Sequence, residues 1–133
     1  MAYDLMLLAD PGTERERVLQ TLRETKGVRQ DPSLDNRFWI TTPQGEIQIN
    51  MGTKDPVESV HVEFEIGDAT LAETATLLSL DLGKKLDMRV EDMQYLHEID
   101  ESSLPALRRF WSEMRKPEFV EAGAGRKPWW RPW

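Results

Sequence analysis

The sequence predicts an α+β fold, and three observations support this prediction. Tyr3 to Ala9 is nearly all apolar, which is typical of a strand buried on both faces near the centre of a sheet. Val60 to Ile66 alternates apolar and polar residues, as a strand does when one face lies in the core and the other in water. Apolar residues recur at helical spacing after each of these two segments, so helices alternate with strands.

The first helix is predicted from its flanking residues. Asp10-Pro11-Gly12 favours a turn after the first strand. Thr13 and Glu16 have the spacing of a capping box, in which each side chain binds a backbone N–H at the start of a helix. Gly27 lies where a left-handed residue commonly ends a helix.

A hairpin is predicted in the middle of the chain. Val28 to Gln30 is a candidate short strand. Pro43-Gln44-Gly45 has turn chemistry and separates 37–42 from 46–51, two segments with alternating apolar residues.

The second and third helices are predicted from caps and charges. Thr70 and Glu73 repeat the capping-box spacing, and Lys84 and Lys85 suit the negative end of a helix dipole. Ser103 is a candidate cap for the third helix. We expect strands near 3–9, 37–42, 46–51, 60–66 and 88–93, and helices near 13–26, 70–85 and 103–115.

This order favours a ferredoxin-like two-layer sandwich with an added hairpin. We expect a mixed, mostly antiparallel sheet with the first two helices on one face. The third helix is an extra C-terminal element whose apolar stripe could cover part of the other face. Residues 1–116 form one α+β domain in this prediction.

Residues 117–133 differ in character from the rest of the chain. They combine a run of Gly and Ala with prolines, basic residues and three tryptophans, which predicts an extended tail without regular structure. Tryptophan and arginine are frequent in binding hot spots. We expect the tail to be ordered where Trp129, Trp130 and Trp133 find an apolar surface, which could belong to the same domain, a sister subunit or a partner protein.

Charge and composition limit the function classes. The chain has a net charge of −7, and residues 1–100 contain 20 acidic and 10 basic residues, a net charge of −10. Such a surface repels phosphate backbones and attracts basic proteins. The chain has no cysteine, which excludes disulfides and thiolate chemistry. We expect a cytoplasmic, bacterial-type protein that binds neither nucleic acid nor membrane.

A candidate partner-binding surface lies on the sheet face turned away from the first two helices. Strand alternation predicts that several polar and aromatic side chains point to that side. An ordinary solvated sheet face is the alternative. The candidates are Trp39, Gln48, Asn50, His61, Glu63 and Glu65, joined by Trp129, Trp130 and Trp133 of the tail.

The sequence offers no catalytic or metal motif. His61, Glu63 and Glu65 would line up along one strand face, which is a weak arrangement for metal ligands. No serine lies in a nucleophile elbow, no glycine-rich phosphate loop is present, and no carboxylate pair is distinguished by its spacing. We therefore expect no catalytic residues, no metal and no cofactor.

These observations favour a non-catalytic protein-binding domain, for example an immunity- or inhibitor-type protein for a basic partner. One alternative is a small-molecule-binding protein or enzyme with a pocket between sheet and helices. Another is a homo-oligomeric structural protein, such as a homodimer with exchanged tails. Neither the identity of the partner nor the oligomeric state follows from the sequence.

Overall fold

The computed structural model of the protein describes residues 2–95 and 97–114. These residues form an α+β fold, as the sequence predicts, with one seven-stranded sheet and three α-helices. The strands are β1 (Ala2–Thr13), β2 (Val28–Gln30), β3 (Arg37–Thr42), β4 (Gly45–Asn50), β5 (Val57–Glu65), β6 (Arg89–Asp92) and β7 (His97–Ile99); the helices are α1 (Arg15–Glu24), α2 (Ala69–Leu86) and α3 (Leu104–Met114).

The strand order is β2-β3-β4-β5-β1-β6-β7. Every pairing in this sheet is antiparallel, so the expectation of a mixed sheet is wrong. The reason is that each helical connection leads to a strand that is not next to the one it left. β1 pairs with β5 on one side and β6 on the other, so it is a central strand, as its apolar sequence predicts. The expectation that it is buried on both faces is wrong, because Met6 and Leu8 lie on the face without helices and are only partly buried.

The core lies on one face of the sheet. Tyr3, Leu5 and Leu7 of β1 are fully buried there, and the helices bury their apolar stripes against the same face. The indole Nε1 of Trp111 in α3 donates to the Tyr3 hydroxyl at 3.0 Å. The third helix therefore packs on the same side as α1 and α2 and does not cover the opposite face.

The start of α1 differs from the prediction. β1 continues through the expected turn, with an irregular register between Leu8 and Thr13, and the Thr13 hydroxyl donates to the carbonyl of Leu86 at 3.5 Å. Thr13 is therefore not a cap, and α1 begins at Arg15 without a capping side chain from its own N-cap residue. The carboxylate of Asp55, in the β4–β5 loop, accepts from the backbone N–H of Arg15 at 3.1 Å instead.

The predicted capping box of α2 is also wrong. Asp68 rather than Thr70 caps α2, because its carboxylate accepts from the Thr70 backbone N–H at 2.6 Å. Glu73 instead accepts from Arg108 of α3 at 2.6 Å. Ser103 belongs to a 3-10 turn before α3, capped reciprocally with Asp100.

One strand was not predicted. β6 ends at Asp92, and the chain returns as β7, which pairs with β6 at the edge of the sheet. The segment His97–Ile99 is too short and too polar to show strand alternation in the sequence.

No helix among the described residues has the length and apolar character needed to cross a lipid bilayer. The tail at 117–133, with Trp129, Trp130 and Trp133, lies outside the described residues.

A buried polar network joins α3, β1 and β6. The Tyr3 hydroxyl accepts from Trp111 and donates to Oδ2 of Asp92 at 2.6 Å. Asp92 is 0% exposed, and its Oδ1 accepts from the backbone N–H groups of Gln94 and Tyr95. Burial raises the pKa of Asp92, although these hydrogen bonds act in the opposite direction. Burial, followed by the charge of Asp92, raises the pKa of Tyr3.

This network predicts a pH dependence of stability. The pKa of Asp92 in the folded protein lies above its ordinary value of 3.8, so just above that pH the folded state holds a proton that the unfolded state has released. The contribution of Asp92 to the free energy of unfolding must then fall as pH rises from 3.8 towards the folded pKa. Asp92→Asn does not titrate and lacks this slope.

The measurement is urea unfolding of the wild type and Asp92→Asn at a series of pH values above 3.8. We expect the difference, wild type minus variant, to decrease with rising pH. The lowered pKa values of Asp31 and Asp100 oppose this trend equally in both proteins and cancel in the difference. A difference that grows with pH would show that the pKa of Asp92 is not raised.

Candidate partner-binding face

The sheet face opposite the helices, here called the open face, brings the predicted polar side chains together. Trp39 of β3 lies opposite Gln48 of β4, Gln48 lies opposite Glu63 of β5, and Glu63 lies opposite Asp4 of β1. These four residues form a row across the centre of the sheet, because directly paired residues point to the same side.

A second row runs beside the first. Asn50 lies opposite His61, His61 opposite Met6, and Met6 opposite Glu91 of β6. Glu65 is at the end of β5, opposite Ala2, where it is exposed. The structure thus places the six predicted sheet residues on one side, with Glu65 at the margin.

Trp39 is held in place from the β2–β3 connection. Its indole Nε1 donates to Oδ2 of Asp31 at 3.4 Å, and the ring is partly buried. The carboxylate of Asp31 also accepts from the backbone N–H groups of Ser33 at 2.7 Å and Leu34 at 3.3 Å. These hydrogen bonds, that of Ser33 first, lower the pKa of Asp31. The anchored carboxylate therefore limits the orientations open to the indole.

Asn50 is held in a similar way at the end of β4. Its Oδ1 accepts from the Asn36 side chain at 3.3 Å and from the backbone N–H of Gly52 at 2.9 Å. Gly52 has a φ of +70°, which favours glycine at this turn. The amide of Asn50 thus ties two loops to the open face.

Asp4 is a site residue that the sequence analysis missed. Its Oδ1 lies 2.7 Å from Nε2 of His61, and its Oδ2 accepts from the Gln94 side-chain amide at 3.2 Å. The Gln94 carbonyl accepts from the Asp4 backbone N–H at 2.9 Å. The available signal was a lone charged residue within the apolar segment from Tyr3 to Ala9.

Asp4, His61 and Glu63 also converge. One potential ligand atom from each lies within 4.8 Å of the other two. In residues 2–95 and 97–114 this is the one group of three that could hold a metal ion. All three side chains are partly buried.

The open face carries more acidic than basic side chains, and two of its arginines are paired. A further arginine, Arg37, lies opposite Asn50 on this face, and its buried Nε has no hydrogen-bond partner among the described residues. Arg29 lies 3.2 Å from Glu46 and Arg89 lies 3.4 Å from Glu91. Glu63 forms no ion pair or hydrogen bond through its carboxylate with the described residues. Its charge is therefore available to a partner from outside the described chain.

A hollow of about 340 Å³ opens at the β3–β4 turn end of this face. Trp39, Gln48 and Glu63 line it on the open face, and Phe64 and Leu71 add apolar surface. Its size is at the lower limit of small-molecule pockets.

Comparison of the sequence with protein-family models and with curated proteins finds no match.

Proposed function

We propose that this domain is a non-catalytic protein-binding domain and that its open face binds a basic partner. The observation that supports this proposal is the row formed by Trp39, Gln48, Glu63 and Asp4. It combines an aromatic anchor with polar and acidic groups on rigid strands. An inhibitor or immunity protein for a basic enzyme would use such a surface.

The aromatic part of the row supports binding affinity. Tryptophan is enriched among residues that dominate protein–protein affinity. The hydrogen bond from Trp39 to Asp31 reduces the rotamer freedom that the ring would otherwise lose on binding, and such preorganisation improves affinity.

The acidic part supports the choice of partner. Asp4, Glu63 and Glu65 lie on or beside the open face, where Arg29 and Arg89 are paired with Glu46 and Glu91 and Arg37 adds one further cation. Complementary charge accelerates association and selects against acidic proteins. Residues 1–100, with their net charge of −10, add a long-range field of the same sign.

We also infer that the central strands follow the ferredoxin-like pattern. The order β6-β1-β5-β4, read with α1 between β1 and β4 and α2 between β5 and β6, is the split β-α-β arrangement of that fold. In this interpretation β2 and β3 are an insertion after α1, and β7 and α3 are a C-terminal addition.

Small-molecule binding is the second candidate, and the hollow beside Trp39 favours it. Apolar surface from Phe64 and Leu71 adjoins the polar groups of Gln48 and Glu63 there. A planar cationic ligand would contact the apolar surface with its ring and the polar groups with its charge. The hollow is open to solvent at the sheet margin rather than enclosed between sheet and helices.

The protein-binding proposal predicts salt-sensitive association that depends on the open face. A partner is isolated from native lysate with the immobilised wild type, identified and purified, and its association rate is measured at ionic strengths from about 0.05 to 0.5 M. We expect the partner to be basic and the rate to fall as salt screens the charges. Glu63→Lys should slow association further.

The matched control is Glu16→Lys on α1, which makes the same change of charge on the helix side; Glu16 is exposed and has one distant partner, Arg23, at 3.9 Å. Equal effects of the two substitutions would show that net charge alone matters. A partner with an acidic binding surface, or a rate indifferent to salt, would contradict the proposal.

A further inference from the structure

We propose that Asp4, His61 and Glu63 form an open binding site for a divalent transition-metal cation, with zinc as the best-matched ion. The inference does not depend on the protein-binding function. The alternation of β5 groups His61 with Glu63 and Glu65, and on that set the sequence predicts no metal. The β1–β5 register changes the set, because it replaces the marginal Glu65 with the central Asp4.

The geometry requires little rearrangement. Ligands at zinc–nitrogen and zinc–oxygen distances of roughly 2.0–2.2 Å lie about 3.4 Å apart in a tetrahedral site. The three candidate atoms already lie within 4.8 Å of one another. They come from adjacent central strands, β1 and β5, whose backbone positions are fixed by pairing over most of their length. Closing the site requires side-chain rotations that bring the three atoms to about 3.4 Å from one another.

Gln94 orients the carboxylate of Asp4. The Gln94 amide donates to Oδ2 of Asp4 at 3.2 Å, which leaves Oδ1 directed at Nε2 of His61 at 2.7 Å. The Gln94 carbonyl is fixed in turn by the Asp4 backbone N–H. Outer hydrogen bonds of this type orient metal-binding carboxylates and contribute to affinity.

Electrostatics favours a cation at this position. Asp4 and Glu63 lie directly opposite each other on neighbouring strands, and like charges in that position destabilise a sheet. The Glu63 carboxylate forms no ion pair or hydrogen bond with the described residues. A divalent cation between the two carboxylates would replace repulsion with attraction, while His61 provides the third ligand.

The ligand types select the class of ion. One imidazole with two carboxylates suits zinc and related transition metals, whereas magnesium and calcium prefer oxygen ligands alone. Three protein ligands leave a fourth position, and the partial exposure of the site, with His61 at 37% and Asp4 at 29% side-chain exposure, places that position towards solvent. Water or a donor from a bound partner can fill it.

The test is calorimetric titration of the full chain, stripped with chelator, against zinc ions alone. We expect saturable 1:1 binding by the wild type and a rise in its melting temperature with zinc. His61→Gln and Glu63→Gln should each weaken binding at least about tenfold, and Gln94→Ala should weaken it by roughly 10–100-fold. In chelator, Glu63→Gln should melt no lower than the wild type, because it removes the repulsion from Asp4.

The matched control is Glu91→Gln, which removes one negative charge from the same face without removing a proposed ligand. It should bind zinc as the wild type does. Absence of 1:1 binding by the wild type would overturn the proposal. Equal weakening by Glu91→Gln and Glu63→Gln would also overturn it, because that result indicates nonspecific attraction to an acidic surface.

Discussion

Replacement of Phe64 by alanine is expected to lower the free energy of unfolding by about 3–5 kcal/mol. Phe64 is 3% exposed and stacks on Tyr3 with the ring centroids 5.1 Å apart. Truncation removes both this aromatic contact and apolar burial in the centre of the sheet, and surrounding structure relaxes only partially into such a space.

The comparison for this experiment is the neighbouring residue. Glu63→Ala changes the opposite face of the same strand, where the side chain is partly exposed, and should alter the free energy of unfolding by less than about 0.5 kcal/mol. Both values can be measured by urea unfolding monitored by circular dichroism. Equal losses would mean that the assignment of the two faces of β5 is wrong.

Tyr3→Phe is expected to lower the free energy of unfolding by about 2–4 kcal/mol, although it removes only a hydroxyl group. Without that group, buried Asp92 loses the donor at 2.6 Å and the Trp111 indole loses its acceptor at 3.0 Å. A buried polar group left without a partner costs roughly 1–3 kcal/mol. The loss should appear in urea unfolding near pH 7.

The matched control is Tyr95→Phe. The ring of Tyr95 packs against His97 and Phe110, and its hydroxyl has no hydrogen-bond partner among the described residues, so its removal should cost less than about 0.5 kcal/mol. If Tyr3→Phe destabilises the protein no more than Tyr95→Phe does, the network between α3, β1 and β6 does not contribute to stability.

Local sequence patterns were sufficient for the strands at the centre of the sheet. The apolar run from Tyr3 to Ala9 predicted a central position for β1, and the alternation from Val60 to Ile66 predicted the two faces of β5; both are confirmed. The start of α1 was harder to predict because the carboxylate at its first turn comes from a tertiary contact. Asp55 lies 40 residues from Arg15 in sequence, so no local motif could reveal it.

The candidate site was likewise predictable where it depends on alternation within one strand, and not where it depends on pairing between strands. A period of two was enough to place Trp39, Gln48 and His61 on one face, since alternation needs no knowledge of neighbouring strands. Asp4 could not be assigned to that group, because its position beside His61 depends on the β1–β5 register, which is not a local property. The packing side of α3 depends likewise on the contact between Trp111 and Tyr3.

The central position of β1 has a consequence for synthesis on the ribosome. The chain is made from its N-terminus at roughly 5–20 residues per second, and β1 emerges before the other strands of this sheet. Its partners β5 and β6 begin at Val57 and Arg89, so the nascent chain displays an apolar strand with both edges unpaired for several seconds. Unpaired apolar strands associate with one another. Chaperones, or slow dilution during refolding, would limit association of this strand between chains. We therefore expect the yield of soluble protein to depend more on this protection than on the stability of the finished fold.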